Sequence, residues 1–374
     1  MKPLYEVAQV VHNQWQHILD GHVKVNSWQL RTLNAIRVCR TAELGGHIDS
    51  CTSCGHLQMS YNSCRNRHCP KCQGEKRDAW IEARKEQLLP VKYFHVVFTL
   101  PECINTLAIS KPKVVYNTLF QAAWMTIQDF SKDSKWIGGQ MGMTAILHTW
   151  GQNMSLHPHL HCIVPGGGIS PEGKWNAVKS RSKILFPVKA LSKVFRGKYL
   201  AILKKVLPDL SKQMLNQFYK YKWVVYAKLP FAGPPHVIEY LGRYTHKIAI
   251  SNHRIIQLSD GLVTFSYKDY RHGGAKKIMK LTEPEFIRRF SLHILPKRFV
   301  RMRHYGILSS SWKKTKLKNL QLSLNFEPPA PGKLNIKNQC PFCKMSTMVT
   351  LLTFGNRGPP SNWSELFKTK DHAQ

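Results

Sequence analysis

The spacing of apolar positions along the chain changes near residue 93. Before that point, residues 28–37 carry apolar side chains at helical spacing after a capping serine, Ser27. Residues 75–89 are rich in helix formers and end at a proline. Residues 93–100 are mostly β-branched or aromatic, which is typical of a buried strand. The pattern therefore predicts helices first and a strand-rich region afterwards.

The region after residue 93 is expected to form an antiparallel sheet. A helix is predicted over residues 105–132, and strands over 143–150 and 156–165 are joined by a turn that contains glycine and asparagine. Another hairpin is predicted near 254–267, with Asp-Gly at its corner. Short strands that alternate with helices favour the α+β class, with one sheet face left for a functional site.

The composition of the chain is strongly basic. The chain has 374 residues with 55 Lys and Arg against 21 Asp and Glu, a formal net charge of +34. Such an excess suits a polyanion, either a phosphate backbone or an anionic membrane surface. No apolar run approaches the roughly 18 residues of a membrane span, and the first nine residues have no signal-peptide core. We therefore expect a cytosolic protein whose cysteines bind metal or stay as free thiols.

Six of the ten cysteines fall between residues 39 and 72. Two Cys-x-x-Cys knuckles, fifteen residues apart, are typical of tetrahedral structural zinc. The predicted zinc ligands are Cys51, Cys54, Cys69 and Cys72. Cys64 and His68 compete for the same ion or support it.

A row of histidines in the strand predicted at 156–165 indicates a second metal site. His159 and His161 are two apart, so they share one face of a strand and supply two-thirds of a divalent-metal site. His157 precedes a proline that suggests a bulge, which would displace its side chain from that face. The third ligand stays open between four residues: His157 and Gln152 of this hairpin, and Glu239 and His246 further along.

Two tyrosines with helical spacing supply a candidate nucleophile. Tyr240 and Tyr244 share one helix face, among the cations Arg243, His246 and Lys247. A phenol has a pKa of about 10, so cationic neighbours or a metal must favour phenolate for attack at neutral pH. Packing alone also explains such a pair in a chain with thirteen tyrosines. Beside a metal that polarises a phosphodiester, however, a phenol suits DNA cleavage through a covalent phosphotyrosine.

These motifs resemble a known group of enzymes. The His-Leu-His strand, the tyrosine segment 240–252, the cysteine segment 61–72 and residues 301–306 resemble the HUH endonucleases, in particular the two-tyrosine rolling-circle transposases of bacterial insertion sequences. The resemblance covers most of residues 30–306. It implies a central antiparallel sheet flanked by helices, preceded by a small helical zinc-binding domain. It also implies that one tyrosine attacks DNA and keeps the 5′-phosphate, while the other takes part in a second strand transfer.

Three parts are expected along the chain. Residues 1–92 would form a helical zinc-binding domain that contacts DNA, and residues 93–306 the HUH nuclease. Residues 307–374 would form a basic tail with a lone Cys-x-x-Cys at Cys340 and Cys343, which is half a zinc site. The expected cofactors are structural Zn²⁺ and catalytic Mg²⁺ or Mn²⁺.

The expected partner is DNA, both the single-stranded ends of a mobile element and its target, and no membrane. The basic residues expected to contact DNA are Arg65, Arg67, Lys71, Arg243, Lys247, Arg301 and Arg303. Two other functions fit part of this pattern. One is a rolling-circle replication initiator or relaxase-like nickase, and the other is a non-catalytic zinc DNA-binding protein.

Overall fold

The computed structural model describes residues 3–72, 81, 84, 86–178, 184–228, 237, 242, 247–326, 339–345 and 347–363. The helices are α1 Val7–Asn13, α2 Trp15–Leu19, α3 Ser27–Arg37, α4 Asn105–Ser110, α5 Pro112–Lys132, α6 Val188–Val206, α7 Lys212–Lys220, α8 Glu283–Ser291, α9 Ser310–Thr315 and α10 Leu317–Ser323. The strands are β1 Gly46–Cys51, β2 Leu57–Tyr61, β3 Tyr93–Thr99, β4 Gly142–Trp150, β5 Leu156–Pro165, β6 Gly167–Ile169, β7 Trp175–Ala177, β8 Val224–Ala227, β9 Ile255–Ser259, β10 Leu262–Asp269, β11 Ala275–Thr282, β12 Met302–Gly306 and β13 Met348–Phe354. Within these ranges no helix has the length and apolar character needed to cross a membrane.

A five-stranded antiparallel sheet forms the centre of the molecule, in the order β12-β4-β5-β3-β8. Helices α5 and α6 cover one face, where Leu147 and Leu160 of the sheet join a core with Phe120 and Phe195 of the helices. The predicted helix over 105–132 is interrupted at Lys111, since Pro112 begins α5 and its ring opposes continuation of the preceding helix. The mixed α+β class with antiparallel sheets is confirmed.

A second core joins the N-terminal helices to the later hairpin region. Val10 and Leu33 of α1 and α3 are buried in one cluster with Ile250, Phe265 and Phe286. The predicted boundary at residue 92 therefore does not separate two cores. The three-stranded sheet β9-β10-β11 in this region has the expected Asp-Gly corner, and both corner residues have a positive φ.

The described parts of the segment predicted as a basic tail, residues 307–326, 339–345 and 347–363, make contacts with the rest of the chain. Leu317 and Leu320 of α10 pack in a third cluster with Leu89 and Ile163. Strand β13 then pairs antiparallel with β1, which gives a small sheet in the order β13-β1-β2. Residues near the C-terminal end of the described chain therefore join the sheet of β1 and β2, because β13 satisfies the backbone groups along one edge of β1.

Candidate functional site

The cysteines form two separate clusters of four. In the first, Cys39, Cys64, Cys69 and Cys72 bring their sulfurs within 4.8 Å of one another. The Cys72 sulfur lies 3.6 Å from that of Cys39 and 3.7 Å from that of Cys64. Zn–S bonds of about 2.3 Å in a tetrahedron place sulfurs roughly 3.8 Å apart. The first cluster therefore has the spacing of a Cys₄ zinc site. Hydrogen bonds from the Cys64 and Cys69 thiols lower the pKa of Cys39.

The second cluster joins the other N-terminal knuckle to the C-terminal one. Its members are Cys51, Cys54, Cys340 and Cys343. Cys51 lies at the end of β1, and its sulfur accepts hydrogen bonds from the backbone N–H groups of Ser53 and Cys54, both at 3.4 Å.

The predicted grouping of Cys51, Cys54, Cys69 and Cys72 around one ion is wrong. The two N-terminal knuckles point to different clusters, because Cys51 ends β1 while Cys69 and Cys72 fold back against Cys39, just after α3. Cys64 is a member of the first cluster. His68 is outside both clusters and is buried beside Arg67, whose Nε donates to His68 Nε2 at 3.4 Å.

Three histidines converge on the sheet face opposite α5 and α6. The antiparallel register of β4 and β5 places His148 directly across from His159, and His161 one step along the same face. Their ring nitrogens lie within 4.8 Å of one another, and the two Nε2 atoms of His159 and His161 are 3.2 Å apart. Sequence reasoning named the strand that contains His148 but missed this residue as a ligand. Counting the register back from the turn does not find it, because a bulge between His148 and Trp150 shifts the pairing, and the Trp150–Leu156 pair alone would place His148 opposite Pro158.

Hydrogen bonds orient two of these rings. His159 Nδ1 donates to the His157 carbonyl oxygen at 2.6 Å, which leaves its Nε2 lone pair free to face the cluster. His161 Nδ1 lies 2.9 Å from Nε2 of the buried His95. When His161 Nδ1 donates to His95, the Nε2 lone pairs of His159 and His161 face each other, an arrangement that a cation between them stabilises.

The environment keeps these imidazoles neutral. Burial lowers the pKa of His159 to about 4, and it lowers the pKa of His161 far below the ordinary value. The nearby imidazoles and the charge of Lys247 lower the pKa of His161 further. Neutral imidazole is the form that binds metal, so the cluster has the donor chemistry of a divalent-ion site.

The four predicted third ligands do not include the residue that completes this group. His157 is exposed and contributes its carbonyl, while the Gln152 carbonyl accepts a hydrogen bond from Arg254. Neither belongs to the converging group, whereas His148 does. Glu239 and His246 lie outside the described residues.

Tyr240, Tyr244 and Arg243 also lie outside the residues that the structure describes. Val237 and Lys247, which are described and flank these residues in sequence, are close to the sheet face that carries His148, His159 and His161. Val237 is fully buried in one cluster with Ile146 and Ile163, which lie on that face. The charge of Lys247 acts on His161.

Several basic residues predicted to contact DNA are held inside the protein. Arg67 donates to the carbonyl oxygens of Phe299 at 2.5 Å and Pro296 at 3.3 Å. Lys71 forms an ion pair with Glu6 at 2.6 Å.

Two further arginines make similar internal contacts. Arg301 donates to the Lys247 carbonyl oxygen at 3.0 Å, and the Arg303 guanidinium lies 4.1 Å from the ring centroid of Phe120. By contrast, the side chains of Arg65 and Lys247 are exposed.

Comparison with known proteins agrees with these features. The family described as a putative transposase matches residues 142–316, and the family described as a transposase zinc-binding domain matches residues 10–100. The chain is 42% identical over 391 aligned positions to the putative transposase y4qJ of Sinorhizobium fredii, covering 96% of this chain and 98% of the relative. It is 24% identical over 339 positions to the transposase for insertion sequence element IS801 of Pseudomonas savastanoi pv. phaseolicola, covering 85% and 79%.

These matches define the class of protein as a transposase with a zinc-binding domain. The chain belongs to the IS91-like transposases, as its motifs predicted. The first cysteine cluster lies wholly within the matched zinc-binding domain. The three histidines lie within the matched transposase region.

Proposed function

We propose that the protein cuts and joins single-stranded DNA through a covalent phosphotyrosine, as an HUH-type rolling-circle transposase. The observation that carries this proposal is the convergence of three imidazoles, His148, His159 and His161, on one face of an antiparallel sheet. A structural role explains them poorly, since clustered imidazoles that lose hydration are an unfavourable way to fill a core.

In this proposal the three imidazoles hold Mg²⁺ or Mn²⁺, of which Mn²⁺ suits nitrogen ligands better. Such an ion, when bound, withdraws charge from the scissile phosphate. The protein's contribution is to fix the ligands before DNA arrives. The His157 carbonyl and His95 hold the rings of His159 and His161 so that their Nε2 atoms face the same point.

The nucleophile in this proposal is Tyr240 or Tyr244. The phenolate oxygen attacks phosphorus, the bond from phosphorus to the 3′ oxygen breaks, and that oxygen takes up a proton. The product is a 5′-phosphotyrosine and a free 3′-hydroxyl, which a second strand transfer can use. Two observations support this assignment. Val237 packs against the sheet face that carries the histidines, and the charge of Lys247 lowers the pKa of His161.

DNA would approach along exposed basic surfaces, including Arg65, Lys247 and the hairpin β10–β11. In this hairpin Lys268 pairs directly with Lys276, and Lys280 follows on the same face. All three lysines are exposed. Like charges directly opposite each other destabilise a sheet, so this arrangement suits a partner that brings negative charge.

A cleavage assay tests the proposal. Single-stranded DNA from the ends of the encoding element, labelled on each side of the break in turn, should yield a protein adduct on the fragment whose 5′ end lies at the break. Peptide mapping should place the link on Tyr240 or Tyr244. The Tyr→Phe variants at these positions should fold normally and lose the adduct to different degrees. Tyr219→Phe, at an exposed tyrosine of α7, is the matched control and should behave as wild type.

The outcomes separate the competing functions. A free 5′-phosphate without an adduct would leave a hydrolytic metal nuclease. Binding without any cleavage would favour the non-catalytic zinc protein. A replication initiator shares the chemistry, but it would act on a plasmid origin and not on the element's ends.

A further inference from the structure

We propose that Cys51, Cys54, Cys340 and Cys343 bind a second structural zinc, which fastens residues 339–354 to the N-terminal sheet. Two of these ligands lie far beyond the matched zinc-binding domain, which ends at residue 100. This inference is independent of the proposed cleavage chemistry.

The sulfur geometry carries the proposal. Cys51 Sγ lies 3.6 Å from Cys343 Sγ, and Cys54 Sγ lies 3.7 Å from Cys340 Sγ. These separations exceed the roughly 2.05 Å of a disulfide and match the roughly 3.8 Å between thiolates around tetrahedral zinc. The first cluster, which lies in the matched zinc-binding domain, shows the same separations. In sequence, Cys51 with Cys54 and Cys340 with Cys343 each form a Cys-x-x-Cys knuckle, the spacing that lets two thiolates face one ion.

The weak packing of β13 indicates that metal is needed to hold it. Among the described residues, the buried cluster at this point consists of Cys51, Cys340 and Met348, with Cys343 packed against it. Val349 and Leu351 of β13 remain 47% and 43% exposed. A strand with so little apolar burial gains little from the hydrophobic effect. Metal binding would therefore supply much of the free energy that keeps β13 in place.

The N-terminal sheet is shaped to receive this strand. Gly45 has a φ of +64° and lies against the Phe354 carbonyl, where any Cβ would clash with the backbone. At Gly46 a Cβ would meet the Phe354 ring. Along the strand, Thr350 Oγ1 donates to Asp49 Oδ1 at 2.7 Å.

The attached segment also completes a polar cavity of about 580 Å³. Gln339 and Met348 line this cavity together with Arg40, Asn62 and Arg65. Loss of the second zinc would therefore remove part of the lining of a cavity that includes Arg65, one of the exposed residues proposed to contact DNA.

The test counts zinc in the full-length protein by native mass spectrometry and follows amide hydrogen exchange. Cys343→Ser should bind one zinc fewer than wild type and lose exchange protection in 348–354, while β3 and β5 keep theirs. Cys72→Ser should also bind one zinc fewer but keep the protection of 348–354. Cys103→Ser, at a half-buried cysteine outside both clusters, should leave the zinc count unchanged.

A measurement on the wild type covers the case in which Cys343→Ser fails to fold. With zinc present, Cys340 and Cys343 should resist alkylation together with Cys51 and Cys54, and chelation should expose all four. An unchanged zinc count in Cys343→Ser overturns the proposal. So does rapid alkylation of Cys340 and Cys343 in the zinc-loaded wild type.

Discussion

His95 Nε2 lies 2.9 Å from His161 Nδ1, and the two rings are stacked with 9° between their planes. His95 is buried in β3, and burial lowers its pKa to about 3, so it is a neutral imidazole. A neutral His95 can accept a hydrogen bond at Nε2 from the Nδ1–H of His161, and in that tautomer His161 Nε2 carries no proton. His95 of β3 thus determines which ring nitrogen of His161, on the neighbouring strand β5, carries the proton.

His95→Leu should therefore weaken Mn²⁺ binding by about 10- to 100-fold, the usual effect of losing such a supporting hydrogen bond. Isothermal titration calorimetry with Mn²⁺ measures the change. His95→Gln, whose side-chain oxygen can accept the same bond, should recover part of the affinity. Equal losses in both variants would mean that His95 acts only through packing.

His148→Ala should abolish metal-dependent nicking, because it removes one of three converging ligands. His157→Ala is the matched control on the same hairpin, since His157 contributes its backbone carbonyl and its ring is exposed. Nicking rates across a Mn²⁺ titration measure both variants. Normal nicking by His148→Ala would remove it from the site.

Arg65 and Arg67 should respond differently to replacement by alanine. Arg67→Ala leaves two backbone carbonyls without their charged donor and should destabilise the protein by about 2–3 kcal/mol. Arg65→Ala should leave the unfolding temperature unchanged. It should also reduce the slope of log K for DNA binding against log salt concentration by about 1, the effect of losing one phosphate contact. Calorimetry and fluorescence anisotropy separate the two effects. Equal loss of stability in both variants would contradict the assignment.

The stability of the protein should fall in mild acid. Burial lowers the pKa of His304 from 6.5 to about 3. A depressed folded-state pKa means that the unfolded chain binds the proton more readily, so this stability is present above pH 6.5 and is lost as pH falls towards 3. His304→Gln can still accept from Thr144 Oγ1, which lies 2.9 Å from His304 Nδ1, and should show a shallower fall in unfolding temperature between pH 6.5 and 4. Identical slopes would exclude His304 as a contributor.

Local patterns predicted the elements that depend on nearby residues. The strand at 93–99, the β4–β5 hairpin and the Asp-Gly corner follow from runs of β-branched and aromatic residues and from turn chemistry. The shared face of His159 and His161 follows from the same alternation. In each case the determining residues are neighbours in the sequence.

Contacts between distant residues were not predictable in this way. Spacing identifies a knuckle but not its partner, so Cys51 and Cys54 could be paired with Cys69 and Cys72 as readily as with Cys340 and Cys343. Only the pairing of β1 with β13 selects between these choices. Similarly, a basic residue such as Arg67 shows its internal role only when residues 296–299 fold against it.

The pairing of β1 with β13 also has a consequence for synthesis on the ribosome. Completion of the β13-β1-β2 sheet, and of the cysteine cluster that contains Cys51, is delayed until residues 340–354 have been synthesised. At roughly 5–20 residues per second, that delay is about 15–60 seconds. A transposase gene interrupted before codon 340 would therefore produce a chain whose first cysteine cluster can form and whose second cannot.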